Sequence, residues 1–425
     1  MLMCTLGFGS YFCYDNPGAL QDEIKTTMGV STYQFENLYA LYSWPNVVLP
    51  IIGGYLLDNV FGIRLGAVIF AAFICLGQVI TALGAFSNSF VTMEISRFVF
   101  GIGGESLAVA QNTYASVWFR GNILNMVFGL QTSIARVGST VNFQVVGPLF
   151  AELKKYAGED MNWALGWTLM IAGTTTVFSL TGAIVLGLVD KRRERLTSQT
   201  FGENPHVRFR DVLKFPLNFW LICGICVSYY VAVFPFVTLG QVYFMQKYGF
   251  SSANANFITG LVYLISAFAS RAFGFSIDKV GRNVAFVMVS VILTLLSHVI
   301  MAFTEINPYF NVGLMGFGYS MLASALWPMV ALVVPLHRQG TAFGLMQAIQ
   351  NLGLAVISLL AGLIVDKYGY LWLEVFFIGW LVVASILTLL IWIMDQWKNN
   401  GYLNMTPAQR KSFEQNSIVV DEIFD

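Results

Sequence analysis

Hydrophobic residues fall along this chain in long runs separated by short polar turns. Runs long enough to cross a bilayer as helices, roughly 20 residues each, cover about 1–24, 34–58, 63–86, 90–118, 123–150, 164–189, 217–246, 253–277, 283–304, 309–335, 341–365 and 371–396. That pattern predicts twelve spanning helices. Helices are expected because a lipid-exposed backbone must satisfy its own hydrogen bonds. The longest polar connection, Asp190 to Phe215, carries Lys191-Arg-Arg-Glu-Arg195 and Asn204-Pro205, and it divides the helices six and six. The expected organisation is an all-α integral membrane protein: a six-helix bundle over 1–190, a cytosolic linker at 191–215, a second six-helix bundle over 216–397 and a cytosolic tail at 398–425.

The polar punctuation repeats between the halves. Gly54-Tyr-Leu-Leu-Asp58 closes the second run, and Gly274-Phe-Ser-Ile-Asp278 closes the eighth, 220 residues on. Arg120-Gly121 before Phe128-Gly-Leu130 recurs as Arg338-Gln-Gly340 before Phe343-Gly-Leu345. Parallel repeats of this kind mark a carrier whose halves rock about a central site. The two halves are thus expected to be pseudo-symmetric.

Composition sharpens the class. Of 425 residues, 56% are hydrophobic and 11% charged, against about 25% charged in a soluble domain. The net charge is zero, which argues against nucleic acid as a partner and leaves membrane lipid as the surrounding medium. Lys and Arg set the orientation. Arg64, Arg120, the 191–214 connection, Lys279, Arg282, Arg338 and the tail place 15 of the 23 on one side. Lys25, Lys154, Lys155, Lys247 and Lys367 lie on the other, so both termini are expected in the cytosol. The chain opens directly on an apolar run with no basic flank and no small-residue cleavage site, so no signal peptide is read. A sorting signal is expected in an N-terminal tail outside this sequence. Cys223-Gly-Ile-Cys226 has redox-motif spacing, but within a spanning helix it reads as small packing residues.

Three charged residues, Arg97, Arg136 and Arg271, lie within helices beside the acid Glu105. Glu105 precedes the Arg120-Gly121 turn and Arg136 follows it, each by a distance equivalent to roughly 20–23 Å along a helix. A carboxylate and a guanidinium therefore share a depth near mid-membrane on consecutive antiparallel helices. Charges at that depth face a bundle interior or a water-filled path. A permanent buried ion pair is a poor stabiliser, so the pair is read as a substrate site. Arg97 lies nearer the lumenal end and is expected to snorkel or to pair at a lumenal gate. Asp15 precedes Asn16-Pro17, where proline breaks the first helix; it either lines the cavity or caps the broken helix. Arg271 is expected at a cytosolic latch, and His298 as a packed residue. Trp327-Pro328, Tyr229-Tyr230 and Trp44-Pro45 are either cavity walls or plain core. Alignment of the halves carries Arg136 to between Asn351 and Ala355 and Glu105 to about Ser324. Charge recognition is thus expected in the first half and neutral contacts, Asn351 and Trp327 among them, in the second.

Gly274-x-x-x-Asp278-Lys279-x-Gly281-Arg282 resembles the cytosolic loop signature of the major facilitator superfamily, with Gly54-x-x-x-Asp58, Gly62 and Arg64 as a looser first-half copy. The glycine permits close helix approach, and the Asp pairs with basic residues or a helix end. Asp58, Arg64, Asp278, Lys279, Arg282 and Arg271 are accordingly expected at a cytosolic gate. Gly362-x-x-x-Asp366-Lys-x-Gly369 has the same lettering but falls on the lumenal side, and it is read as a chance match or a lumenal turn. Tyr11-Phe-Cys-Tyr14-Asp15-Asn-Pro17, Gly103-Gly-Glu105 and Ser133-Ile-Ala-Arg136 further resemble the lysosomal dipeptide carriers of that superfamily, and the likeness covers essentially the whole chain. The resemblance implies peptide contact at Glu105 and Arg136, a lysosomal membrane location, and a heavily glycosylated single-span partner, the glycosylated lysosomal membrane protein. One Asn-x-Ser/Thr acceptor, Asn404-Met-Thr406, is present, and it lies in the tail; a partner would supply the lumenal sugar coat. The Ala151–Trp163 connection is its expected contact.

Three functions compete on these residues. One is a carrier of zwitterionic dipeptides, in which amine meets carboxylate and carboxylate meets guanidinium. Another is an organic-anion or sugar carrier, proton-coupled or not, with Arg136 as clamp and Glu105 as proton site. The last is a transport-inactive receptor or scaffold, against which the intact loops and polar cavity argue. No nucleophile–base pair, phosphate-cradling loop, cofactor motif or metal-ligand set is read. Helix 1 lacks the Glu-x-x-Glu-Arg motif of proton-coupled peptide transporters, so an uncoupled uniporter is favoured.

Overall fold

A computed structural model describes residues 2–56, 62–118, 124–158, 160–197, 215–334, 339–398, 400–410 and 412–413. Among them the chain makes twelve helical passages. The first, α1, is broken into Leu6–Tyr14, Asn16–Ala19 and Gln21–Met28, and the second, α2, into Thr32–Ser43 and Leu49–Leu56. Pro17 and Pro45 sit at these breaks, where a missing N–H and a fixed φ interrupt the ladder. There follow α3 (Gly62–Phe86), α4 (Phe90–Trp118), α5 (Leu124–Ala157), α6 (Met161–Thr197), α7 (Leu217–Tyr248), α8 (Ser252–Val280), α9 (Asn283–Phe303), α10 (Pro308–Val333), α11 (Gln339–Tyr368) and α12 (Tyr370–Lys398).

Seven of these, α3, α6 to α9, α11 and α12, are long and apolar enough to cross a membrane by composition among the described residues. The short pieces of α1 and α2 are not, and α4 carries Glu94, Arg97 and Glu105 among its apolar residues. The least lipid-like helices are thus among those that bear the charged groups.

The halves pack alike. In the first, α3 packs on α4 and α6, and α1 on α5 and α6; in the second, α9 packs on α10 and α12, and α7 on α11 and α12. The seams between halves correspond too, α5 against α8 and α2 against α11. The repeat also reaches the turns. Gly29 and Gly249 end α1 and α7 with φ of 65° and 66°, and Ser31 and Ser251 then cap α2 and α8. At Ser31 the cap is reciprocal: its Oγ accepts from Gln34 N at 3.2 Å and Gln34 Oε1 accepts from Ser31 N at 2.9 Å.

We call the end at which α6 and α7 meet residues 198–214 the linker end, and the opposite end distal. Two element boundaries differ from the sequence reading. α6 continues to Thr197, so residues 191–197 of the expected linker are helical. α5 continues to Ala157, so the expected long connection over 151–163 is mostly helix followed by a turn at Gly158. In both places polar residues continue the 3.6-residue ladder past the apolar run, which an apolar-run criterion cannot see. Beyond α12 the chain folds back on the linker end: Leu403 is buried and its N–H donates to Asp395 Oδ2 at 3.0 Å, while Asn404 Oδ1 accepts from Ala285 N at 3.3 Å.

Candidate functional site

The glycines beside Glu105 explain how it is presented. A Cβ on Gly104 would stand 2.4 Å from Tyr42 Oη, so glycine leaves room for the phenol, and a Cβ on Gly101 would stand 2.5 Å from Tyr42 O, so glycine there lets α4 lie this close to α2. Tyr42 is thereby held beside Glu105, and its Oη donates to Glu105 Oε1 at 3.4 Å. Glu105 remains half-buried.

Arg136, 7% exposed on α5, reaches across the seam between halves. Its Nη1 donates to the hydroxyls of Ser266 and Ser270 on α8, and to Ser266 O at 3.5 Å. The Tyr319 ring on α10 stacks 4.9 Å from its Cζ. Glu105 and Arg136 make no ion pair with each other: each is held by neutral partners. Tyr11, on α1, is 43% exposed.

Tyr319 ties Arg136 to an aromatic wall in the second half. It meets Tyr230 edge-on at 6.1 Å, and Tyr230 stacks on Phe234 at 5.3 Å. Trp327 Nε1 donates to Tyr230 Oη at 3.1 Å, and the indole stacks on Phe343. Tyr230 and Trp327 are therefore brought to Arg136. Tyr229 is not: its Oη shares a 2.7 Å hydrogen bond with Thr294 on α9, inside the second bundle. Asn351 is buried on α11 and turns its amide back to Gln347 O at 3.0 Å. Ser324, the counterpart of Glu105, donates to the carbonyl of Ser270 at 3.1 Å, the residue whose hydroxyl binds Arg136.

Asp15 is buried at the break in α1, and its side chain caps neither helical piece. Oδ1 accepts from Tyr263 Oη of α8 at 3.5 Å and Oδ2 has no partner. The capping alternative is thereby removed. Arg97 does not snorkel. It is fully buried, with Nη1 donating to Cys13 O at 3.3 Å and Nη2 to Tyr14 O at 2.8 Å. The rings of Tyr14, Tyr39, Tyr42 and Phe100 surround its guanidinium at 5.2–5.8 Å. The break in α1 frees carbonyls that a helix would have used, and Arg97 takes them.

The expected gate residues are placed less simply. Asp58 lies outside the described residues, as do Arg120, Gly121 and Arg338. Arg64 pairs with Asp190 at 2.6 Å, within the first half. Trp118 Nε1 donates to the other Asp190 oxygen at 2.9 Å, and Arg193 stands 3.8 Å away, so Asp190 joins α3, α4 and α6. Asp278, Lys279, Arg282 and Arg271 are exposed and make no hydrogen bond or ion pair among the described residues. No latch through them is engaged among the described residues.

The engaged contacts lie elsewhere. Asp366 accepts from Thr32 N at 2.9 Å and Tyr33 N at 2.7 Å, so its carboxylate caps the start of α2 from the other half. A Cβ on Gly362 would stand 2.7 Å from Tyr33 Cα, so glycine is needed for that approach. The lettering read as a chance match or a lumenal turn lies at the turn between α11 and α12, where it joins the halves at the distal end. Gln241 Nε2 donates to Ala19 O and to Glu23, and Thr238 donates to Glu36 at 2.7 Å. Among the described residues, no hydrogen bond between halves lies nearer the linker end than those of Ser133 and Ser270. The sequence reading missed Ser266, Ser270 and Tyr319, which carry no charge to single them out, and Asp366, whose motif was visible but seemed misplaced.

Comparison with known proteins agrees with this architecture. The Major Facilitator Superfamily profile matches residues 3–313 and 221–420. A lysosomal dipeptide transporter MFSD1 of Danio rerio is 56% identical over 411 residues, covering 96% of this chain and 89% of that protein. Its Homo sapiens relative is 53% identical over 415 residues, covering 97% and 89%. Among solved structures, a D-xylose–proton symporter superposes with a TM-score of 0.70 at 14% identity, covering 92% of this chain and 96% of that one, a likeness of fold. The chain belongs to the major facilitator superfamily and has its twelve-helix, two-bundle fold.

Proposed function

We propose that this chain carries dipeptides out of the lysosomal lumen by alternating access, as a uniporter, with the linker end and both termini in the cytosol. One observation carries the reading: Glu105 and Arg136, on consecutive helices, do not neutralise each other, and each is held by neutral partners. Tyr42 binds one Glu105 oxygen, and Oε2 makes no hydrogen bond among the described residues. The hydrogen bonds of Arg136 run through Nη1, which leaves the Nε–Nη2 edge for a bidentate carboxylate. A peptide amine takes Glu105 and its carboxylate takes Arg136, and the loaded site is neutral. The aromatic wall of Tyr319, Tyr230 and Trp327 gives side chains an undemanding surface, so selectivity among dipeptides is broad. The name carried by relatives more than half identical over nearly the whole chain supports this substrate class and compartment.

The experiment is counterflow in proteoliposomes with a labelled dipeptide. Unlabelled dipeptides compete; free amino acids, whose charges lie closer together, and N-acetylated dipeptides do not. Equal competition by an N-acetylated analogue or by a simple organic anion would defeat the reading in favour of the anion carrier.

The proposal includes a glycosylated single-span partner over the distal face. Without it, the loops of the chain stand bare in a protease-rich lumen. An unchanged lysosomal half-life in cells lacking any such partner would count against it.

A further inference from the structure

One acid of the distal seam is not used by the site just described. Glu36 on α2 is fully buried. Its Oε1 lies 2.7 Å from Thr238 Oγ1 on α7, in the other half. Thr238 Oγ1 also stands 2.9 Å from Pro235 O. A hydroxyl has one proton to give, so with Glu36 ionised Thr238 satisfies one acceptor and forgoes the other. Glu36 Oε2 has no hydrogen bond. An ionised Glu36 is therefore a buried carboxylate with at most one donor, which is costly. With a proton on Oε1 both contacts are satisfied: the carboxyl donates to Thr238 Oγ1, and Thr238 donates to Pro235 O.

The charged and titratable groups on the surrounding helices are engaged elsewhere. On α4, Glu94 accepts from Asn37 Nδ2 at 2.8 Å, and Arg97 donates to carbonyls of α1. On α1, Lys25 donates to Thr32 Oγ1 at 2.6 Å, and Glu23 accepts from Gln241 and Ser252. Asp366 of α11 caps α2 one turn before Glu36, and Lys367 beside it is exposed. On α7, Tyr243 and Lys247 donate to Met301 O. Tyr39, on α2 itself, accepts from Gly18 N at 2.7 Å. Among the described residues no cation pairs with Glu36, and its hydrogen-bond partner is a neutral hydroxyl.

The repeat shows what this position does in the other half. Ser31 and Ser251 cap α2 and α8, so position 36 corresponds to position 256. Asn256 is also fully buried, and its Nδ2 donates across the seam to Ala19 O at 2.8 Å. Gly18, the counterpart of Thr238, lies against Thr238 itself: a Cβ there would stand 3.4 Å from Thr238 Cα. At matching places each half thus sends one polar side chain into the other. The amide of Asn256 donates at any pH. Glu36 donates only when it carries a proton.

We propose that Glu36 is a proton-binding site of the distal closure. Parting of the halves at that end separates α2 from α7 and bares the carboxyl to the distal compartment. The carboxyl takes a proton there, donates to Thr238 when the halves close, and returns the proton to the same side on reopening. The proton does not cross, so the site sets the pH at which the distal end closes without coupling transport to a proton gradient. Closure binds the proton, so acid in the distal compartment favours closure and rising pH opposes it. The inference goes beyond the dipeptide reading, and its main test needs no substrate.

Spin labels carried by Ser87→Cys and Glu305→Cys, at exposed positions beside the distal ends of α3 and α9, report closure as a distance between the halves. The full chain in detergent is followed between about pH 4 and about pH 8, the span from a solvated to a buried carboxyl. With Glu36 in place, the closed-to-open ratio is expected to fall several-fold as the pH rises, and by no more than about tenfold per pH unit, the limit for one proton. Glu36→Gln keeps a donor at every pH and should stay closed across the range. Thr238→Val keeps the shape, removes the acceptor and should lower the closed fraction at acid pH. A ratio that ignores pH with Glu36 in place, a Glu36→Gln variant that keeps the pH response, or an unchanged closed fraction in Thr238→Val overturns the proposal. In proteoliposomes a pH gradient alone should drive no uphill accumulation of dipeptide; accumulation would show that the proton crosses and would overturn it too. Loss of dipeptide specificity in counterflow with the distance response intact would defeat the substrate reading and leave the proton site standing.

Discussion

Two arginines of the first half, Arg97 and Arg136, are both buried, both ringed by aromatic side chains and both placed on the helices flanking one turn. They differ in whom they bind. Arg97 takes carbonyls of α1 in its own half, under four rings from that half. Arg136 takes hydroxyls and a ring from the other half. When the halves rock, the partners of Arg97 move with it and those of Arg136 do not. A buried charge held within one rigid body is architecture; for one held across the moving seam we propose a role in binding substrate. The sign and the burial of the charge are the same in both cases, so neither distinguishes them.

The comparison breaks most visibly at Arg97. Arg97→Ala removes two charge-assisted hydrogen bonds and leaves a void under four rings, and it is expected to cost about 4 kcal/mol of stability. The readout is the unfolding midpoint; a wild-type midpoint with selective loss of transport would reverse the two roles. Arg136→Lys should leave the midpoint nearly unchanged and reduce dipeptide counterflow roughly 10- to 100-fold, since an ammonium cannot make the two-point contact. Removing the ring beneath it by Tyr319→Leu should cost several-fold in apparent affinity, about 0.5–2 kcal/mol. Competition with increasing unlabelled dipeptide measures that shift.

Smaller effects sharpen the picture of the two ends. Asp366→Asn weakens an anion cap on α2, worth about 0.3–1 kcal/mol, and should raise the reactivity of a cysteine placed behind the distal closure by a few-fold. Unchanged labelling would mean that Gln241 and Thr238 hold that end without it. Asp278→Asn should leave the midpoint of this state where it is, because Asp278 is exposed and without a partner among the described residues. A lowered midpoint would reveal a latch contact.

Much of the architecture was legible in the sequence because its causes are local. Apolar runs gave the passages, and the paired Gly-x-x-x-Asp loops gave the repeat, which the packing of α3 with α4 and of α9 with α10 repeats in space. The depth of Glu105 and Arg136 followed from residue counts along helices. What the sequence could not supply was partnership across the seam. Ser266 and Ser270 are ordinary hydroxyls until α8 lies against α5. Thr238 stands 202 residues from Glu36, and no periodicity links them. Arg97 looked like a gate because its depth was known and the carbonyls freed by the break in α1 were not. Asp366 was discounted because sidedness was weighed above motif; the physics of a carboxylate at a helix start works at either end.

The central claim is that Glu105 and Arg136 hold the two ends of one zwitterion. It is tested most directly by proteoliposome counterflow of a labelled dipeptide through Glu105→Gln and Arg136→Lys, each in protein of wild-type unfolding midpoint. The account predicts that Glu105→Gln weakens dipeptides with a free amine and leaves the already poor uptake of an N-acetylated analogue as it was, while Arg136→Lys impairs both. Near wild-type dipeptide flux in both variants would contradict it and move the site elsewhere.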